Sequence, residues 1–145
     1  VESRMRLWGS AGRAAEVLSR CRSWLPVEHV IVYDVEGIDA TRVEVMMAEG
    51  RRVLGAIPGV REVVTGRAVQ ENARYHYSWL VRFCHPAVID SYREHPDHVA
   101  FADKLFRPVA GRRISIDFQT VERFSRFRTT TTLWGVEGGD AMPVR

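Results

Sequence analysis

This sequence predicts an α+β fold of the ferredoxin-like, split βαβ kind: a four-stranded antiparallel sheet with helices on one face. Three observations carry that prediction. Apolar residues alternate with period two in four separate segments, helical-period patterns lie after the first and third of these, and polar or Pro-Gly breaks divide them. The resulting order is β-α-β-β-α-α-β over residues 27–122, in a chain of 145 residues that is 46% hydrophobic and long enough for one domain to bury a core.

Residues 1–26 read as an extension preceding that domain. One short helix around Arg13–Arg22 ends before Pro26 and leaves Trp24 and Leu25 to pack on the body. The segment Glu28–Val35, EHVIVYDV, is β-branched and reads as a strand with His29, Ile31, Tyr33 and Val35 on one face. Thr41-Arg42-Val43-Glu44 has the capping-box pattern, and Val43, Met46, Met47, Gly50, Leu54 and Ile57 follow at helical spacing until Pro58-Gly59 stops them. Val60–Val69 and Tyr75–Phe83 form a hairpin across the polar Gln70–Arg74, the second strand showing Tyr75, Tyr77, Trp79, Val81 and Phe83 on one side. Pro86–Arg93 is a short helix, Pro96–Val109 a second one, and Arg113–Val121 a closing strand alternating Ile114, Ile116 and Phe118.

The strands carry large apolar residues on both sides: Val30 and Val32 beside Ile31 and Tyr33, Leu80 beside Trp79. A single helical layer buries only one face of a sheet. The second face calls for another subunit's sheet, so the sequence predicts a homodimer.

The formal charge of +3 sits at the ends. Residues 1–26 hold five arginines against Glu2 and Glu16, residues 123–145 hold four against Glu137 and Asp140, and the body has twelve basic and fourteen acidic residues. A mildly acidic body argues against a sequence-specific nucleic-acid domain, and the Arg123–Arg128 run, RFSRFR, reads as part of a solvated basic tail. Neither an apolar run of membrane-spanning length nor a signal-like core is visible, so the expectation is a cytoplasmic protein with no membrane partner. Cys21 and Cys84 lack metal-ligand spacing and are too few for a disulfide framework, which predicts free thiols.

Four motifs then occur in order: His29–Tyr33 (HVIVY), Ile57–Val60 (IPGV), Tyr92–Phe101 (YREHPDHVAF) and Asp117-Phe118. With these motifs the stretch 27–121 resembles the stress-responsive dimeric α/β barrel (Dabb) family. The resemblance implies two ferredoxin-like subunits whose sheets pack into a barrel, with a ligand cavity in each between sheet and helices. It does not imply one activity, since members include plant stress proteins, bacterial proteins without assigned role, and olivetolic acid cyclase. That cyclase closes a linear tetraketide thioester by intramolecular aldol condensation without metal or organic cofactor. Its catalytic histidine falls on His98, its partner tyrosine on Tyr92 and its first-strand histidine on His29. A third-strand pocket histidine falls on Tyr77, a departure that bears on the substrate.

Chemistry distinguishes the two histidines of the HPDH stretch. If His95 caps a helix and Pro96 takes its first position, His98 lies in the first turn, where the positive helix end disfavours imidazolium. A neutral imidazole is the general base that an aldol cyclisation asks for, and the Tyr92 hydroxyl can bond the oxygen on which charge develops. The plainer readings are a core histidine satisfied by a backbone carbonyl, and a metal pair at His95 and His98 that would need a third and fourth ligand from His29, His76, His85 or acidic residues. His29, Tyr33 and Tyr77 are the substrate-binding candidates. The functions that follow are a cofactor-free cyclase or aldol-type lyase acting on a polyketide-like β-carbonyl compound, a barrel that binds a ligand without turnover, and an oligomerisation module with arginine-rich ends.

Overall fold

A computed structural model describes residues 11–121 of the protein; the segment 123–145, with its arginine-aromatic run, lies outside them. The period-two segments become strands β1 (Val27–Val35), β2 (Val60–Arg67), β3 (Tyr77–Phe83) and β4 (Ala110–Gln119). They form one antiparallel sheet in the order β2-β3-β1-β4, the ferredoxin-like arrangement expected. Helices α1 (Ala11–Arg20), α2 (Ala40–Gly55), α3 (Val88–Glu94) and α4 (Pro96–Phe101) accompany it, the last running into a π-helical turn at Ala102–Phe106.

Period two sorts the sheet into two faces. Val27, Tyr33, Trp79, Val81 and Phe83 are buried with Val43, Met46, Met47 and Leu54 of α2. Gly50 lets this helix cross directly over the Trp79 indole, because a Cβ there would lie 2.3 Å from Trp79 Cη2. At the end of α2 the Ile57–Val60 turn needs its glycine twice over: Gly59 has φ +89°, and a Cβ on it would meet a Val88 methyl at 2.5 Å.

Helix α2 begins earlier than the capping-box pattern suggests. Asp39 is the N-cap, its Oδ1 accepting from the Arg42 N–H at 2.9 Å, while Glu44 instead pairs with Arg67 of β2 at 3.0 Å. The hairpin is also wider than its hydrophobic pattern implied. Asp34 holds His76 by the backbone N–H at 3.0 Å and by the ring Nδ1 at 2.8 Å, ending strand pairing at Arg67 and Tyr77.

The helix expected over 96–109 changes type midway. Phe101 and Phe106 are five residues apart, about 140° around an α-helix, yet both pack inward. Phe101 meets Trp79 edge-on at 5.7 Å and Phe106 meets Tyr33 edge-on at 5.0 Å. The i→i+5 bond from the Arg107 N–H to the Ala102 carbonyl, 2.8 Å, brings the two rings to one face.

The two cysteines correct the free-thiol expectation, since Cys21 and Cys84 form a disulfide across a Cα separation of 5.2 Å. Their sequence separation of 63 hides that proximity. Helix α1 is thereby fixed to the body through Val17 and the adjoining Cys21, both buried, while Trp24 and Leu25 remain substantially exposed. Such a bond persists in oxidising surroundings and is reduced in a typical cytosol. The loop it closes sets an upper bound of about 4 kcal/mol on its chain-entropy contribution. Urea unfolding of Cys21→Ser should show a loss approaching that bound, matched by wild type under reductant; equal midpoints with and without reductant would mean the bond contributes nothing.

Among the described residues no helix is long and apolar enough to cross a membrane.

Candidate active site

The break between α3 and α4 is built by His95. Its Nδ1 accepts from the Asp97 N–H at 3.2 Å and Pro96 takes the first helical position, the arrangement expected from the sequence. His98 follows one residue after Asp97 and turns back. Its Nδ1 lies 3.1 Å from the Arg93 carbonyl, which can only accept, so Nδ1 carries the proton and Nε2 is the unprotonated nitrogen of the neutral ring. Burial lowers the His98 pKa, opposed by the Arg93 carbonyl and assisted by positive charge from His29, Arg107 and His95. The shift runs in the direction expected from the helix end, with desolvation as its main cause.

Tyr92, in the last turn of α3, lies against that ring, their centroids 4.5 Å apart, and stacks obliquely on Phe83 at 4.8 Å. It is 3% exposed, and burial raises its pKa, holding the phenol protonated across the physiological range. His29 reaches the same place from β1, with its centroid 6.4 Å from Tyr92. Its Nδ1 is 2.5 Å from Asp117 Oδ1, and the other carboxylate oxygen accepts from Arg93 at 3.0 Å. Asp117 thus orients His29 and ties β4 to α3.

These side chains surround a cavity of about 320 Å³ between sheet and helices. His29, Tyr92 and His98 also border an apolar inner recess of about 40 Å³ that ends on Leu54, Trp79 and Phe101. Three residues from three separate elements therefore form a polar waist between an open mouth and a greasy interior. Such an arrangement can move a proton to or from a carbon acid whose apolar part fills the recess.

The sequence profile described as the stress responsive A/B barrel domain matches residues 27–120. The chain belongs to this family. No curated protein matches the chain in sequence. Solved structures share the A/B barrel subunit fold at low identity. A Dabb-family protein with a ferredoxin-like fold from Mesorhizobium loti superposes with a TM-score of 0.61 at 23% identity over 68% of this chain and 99% of its own. A dimeric ferredoxin-like protein of unknown function from Thermobifida fusca gives 0.60 at 18% identity over 68% and 93%. The hydroxynitrile lyase of Passiflora edulis gives 0.61 at 15% identity over 70% and 99%. The fold thus carries at least one lyase, and at these identities the likeness extends to the fold alone.

Within this A/B barrel subunit the sequence candidates divide. His29, Tyr92 and His98 share one cavity. Tyr33 is fully buried and does not line it; its ring packs against Phe106 and Tyr77, and its hydroxyl finds no hydrogen-bond partner among the described residues. Tyr77 borders a different depression, with Asp34, His76 and Arg112. Four further polar residues at the cavity had no place among the candidates: Arg93, Arg107, Arg113 and Ser115. The signal for the strand members was in the closing strand, whose Arg113, Ser115 and Asp117 alternate with the apolar set and pair with Tyr33, Ile31 and His29. Their face is the cavity face.

Proposed function

We propose that this barrel is a cofactor-free acid/base enzyme of small-molecule carbon chemistry, in the class of polyketide cyclases and aldol-type lyases. The observation that supports it is the His98 imidazole, desolvated, fixed through Nδ1 by a backbone carbonyl, and in ring contact with a protonated Tyr92 at a cavity. In this reading Nε2 of His98 takes a proton from a methylene flanked by carbonyls. The carbon left behind attacks a second carbonyl of the same chain, a C–C bond forms, and that carbonyl's π electrons move to its oxygen. The proton held on His98 then returns to the new alkoxide, while the Tyr92 hydroxyl bonds the enolate oxygen. His29, set by Asp117, is positioned to bind a substrate oxygen.

The functional unit in this reading is a homodimer. The second sheet face of Val30, Val32, Leu80, Val64, Ile114, Ile116 and Phe118 supports it, as does the dimeric Thermobifida fusca protein of the same fold.

The test is deuterium exchange at the C2 position of a β-keto thioester in D2O, followed by proton NMR. Wild type should accelerate exchange over buffer, with kcat/KM rising through a single acid limb whose midpoint lies below pH 6.5. The sign follows from the lowered His98 pKa, since the base form is lost only below it. Tyr92, with its pKa raised, should add no alkaline limb below pH 10. Arg107→Gln removes a nearby positive charge and should move the acid limb upward. Exchange at the buffer rate across this range, with ligand raising Tm but no proton moving, would favour the reading in which the cavity binds without turnover.

A further inference from the structure

The mouth of the cavity has a charge imbalance that general-base chemistry does not require. Arg93, Arg107 and Arg113 all line it. Arg93 is answered by Asp117, which already holds His29, and Arg107 by Asp103 one helical turn back. Arg113, on the edge strand, makes no ion pair among the described residues. Ser115 stands two residues along the same face and lines the same mouth. On the far side of the polar waist the recess is apolar.

We propose that the ligand of this site is an amphiphilic carboxylic acid, its carboxylate bound at the mouth by Arg113 with Arg107 and Ser115, and its apolar body in the recess. This deepens the enzymatic reading and rests on it for the claim that the ligand is a substrate. The direction of entry follows from the two ends. An apolar group gains by leaving water at Trp79 and Phe101, whereas a carboxylate would lose its hydration there without a partner. At the mouth it meets a planar guanidinium, whose paired N–H donors match both carboxylate oxygens. The atoms between body and carboxylate then pass His29, Tyr92 and His98. A substrate bound this way that carries carbonyls along its chain presents the methylene between them to the base.

The shared chemistry is that of an oxyanion, and a phosphate monoester is the other source. Three probes of similar shape separate them on the full chain: 3-phenylpropionate, its neutral isostere 3-phenylpropanamide, and phenyl phosphate. Calorimetric titration at low salt should show the acid binding about tenfold or more tighter than the amide, a preference that shrinks as salt is added. Arg113→Gln should reduce that preference to about threefold or less while leaving the amide's affinity and the Tm in place. Arg113→Lys, keeping charge but losing the fork, should recover part of it. Equal affinity for acid and amide, no acid binding at millimolar concentration, or an unchanged preference in Arg113→Gln would overturn the proposal; tighter binding of phenyl phosphate than of the acid would reassign the mouth to phosphate. Because the readout is binding, it is separate from the catalytic reading. A protein that keeps the acid preference but shows no proton exchange refutes His98 as base and leaves the docking site standing.

Discussion

Replacing His98 by alanine should lower the rate of C2 proton exchange by about 10²–10⁴-fold, the contribution typical of a positioned general base. The ring is partly buried, and its removal deletes one hydrogen bond to the Arg93 carbonyl, so the fold should survive with a modest loss of stability. The informative comparison is with His95→Asn. His95 acts on the backbone, accepting from the Asp97 N–H, and asparagine is among the best residues for that position. His95→Asn should therefore keep most of the activity and nearly all of the stability. Tyr92→Phe belongs between the two. If the hydroxyl bonds a developing enolate oxygen, its loss should cost about 10²–10³-fold in kcat with little change in Tm. Equal loss of activity in His95→Asn and His98→Ala would indicate that both act through the geometry of the helix break, and His98 would no longer stand as the base.

The contrast between these histidines was legible in the sequence because it rests on local chemistry. Pro96 cannot donate a backbone N–H and has a fixed φ, so it marks a helix start, and the residue before it becomes the cap. The fold was legible for a related reason: the strand pattern repeats every two residues and survives whatever lies on the far side of the sheet. What escaped was long-range. The Cys21–Cys84 bond spans 63 residues, and nothing local to either cysteine announces the other. The π-helical turn arises because Phe101 and Phe106 both fill space over the sheet, which an α-helical reading of 96–109 cannot anticipate. The cavity arginines were missed because attention to Ile114, Ile116 and Phe118 accounted for half of β4 only. In an edge strand the other half is informative too, and here it places Arg113, Ser115 and Asp117 in a row beside His29.

That apolar half of β4 carries the remaining large prediction. Ile114, Ile116 and Phe118 are 43–49% exposed and Val64 44%, and strand register places them with Val30, Val32 and Leu80 on the sheet face away from the helices. At one end Arg82 bridges Glu28 and Glu62 across three strands, giving the patch a charged border. Isolated exposed apolar residues are ordinary, but a continuous set across all four strands is the signature of a covered surface. Each such side chain contributes roughly 1.5–3 kcal/mol when fully buried, so the patch has ample driving force for association with a second copy. Ile116→Glu places an unpaired carboxylate near its middle, where burial opposes the charge strongly enough to raise the dimer dissociation constant by about two orders of magnitude or more. Sedimentation velocity near 10 µM should show wild type as a dimer and Ile116→Glu as a monomer, the concentration being about that at which a pair with Kd of 1 µM is still mostly associated. Val45→Glu is the matched control, introducing the same charge at a residue 66% exposed on α2, and it should remain dimeric. The cavity lies on the opposite face of the sheet, so the monomeric variant should still bind 3-phenylpropionate through Arg113, although with a lower Tm. A wild-type protein that sediments as a monomer across the micromolar range would refute the paired-sheet assembly while leaving the His98 site, which is built within one subunit, unaffected.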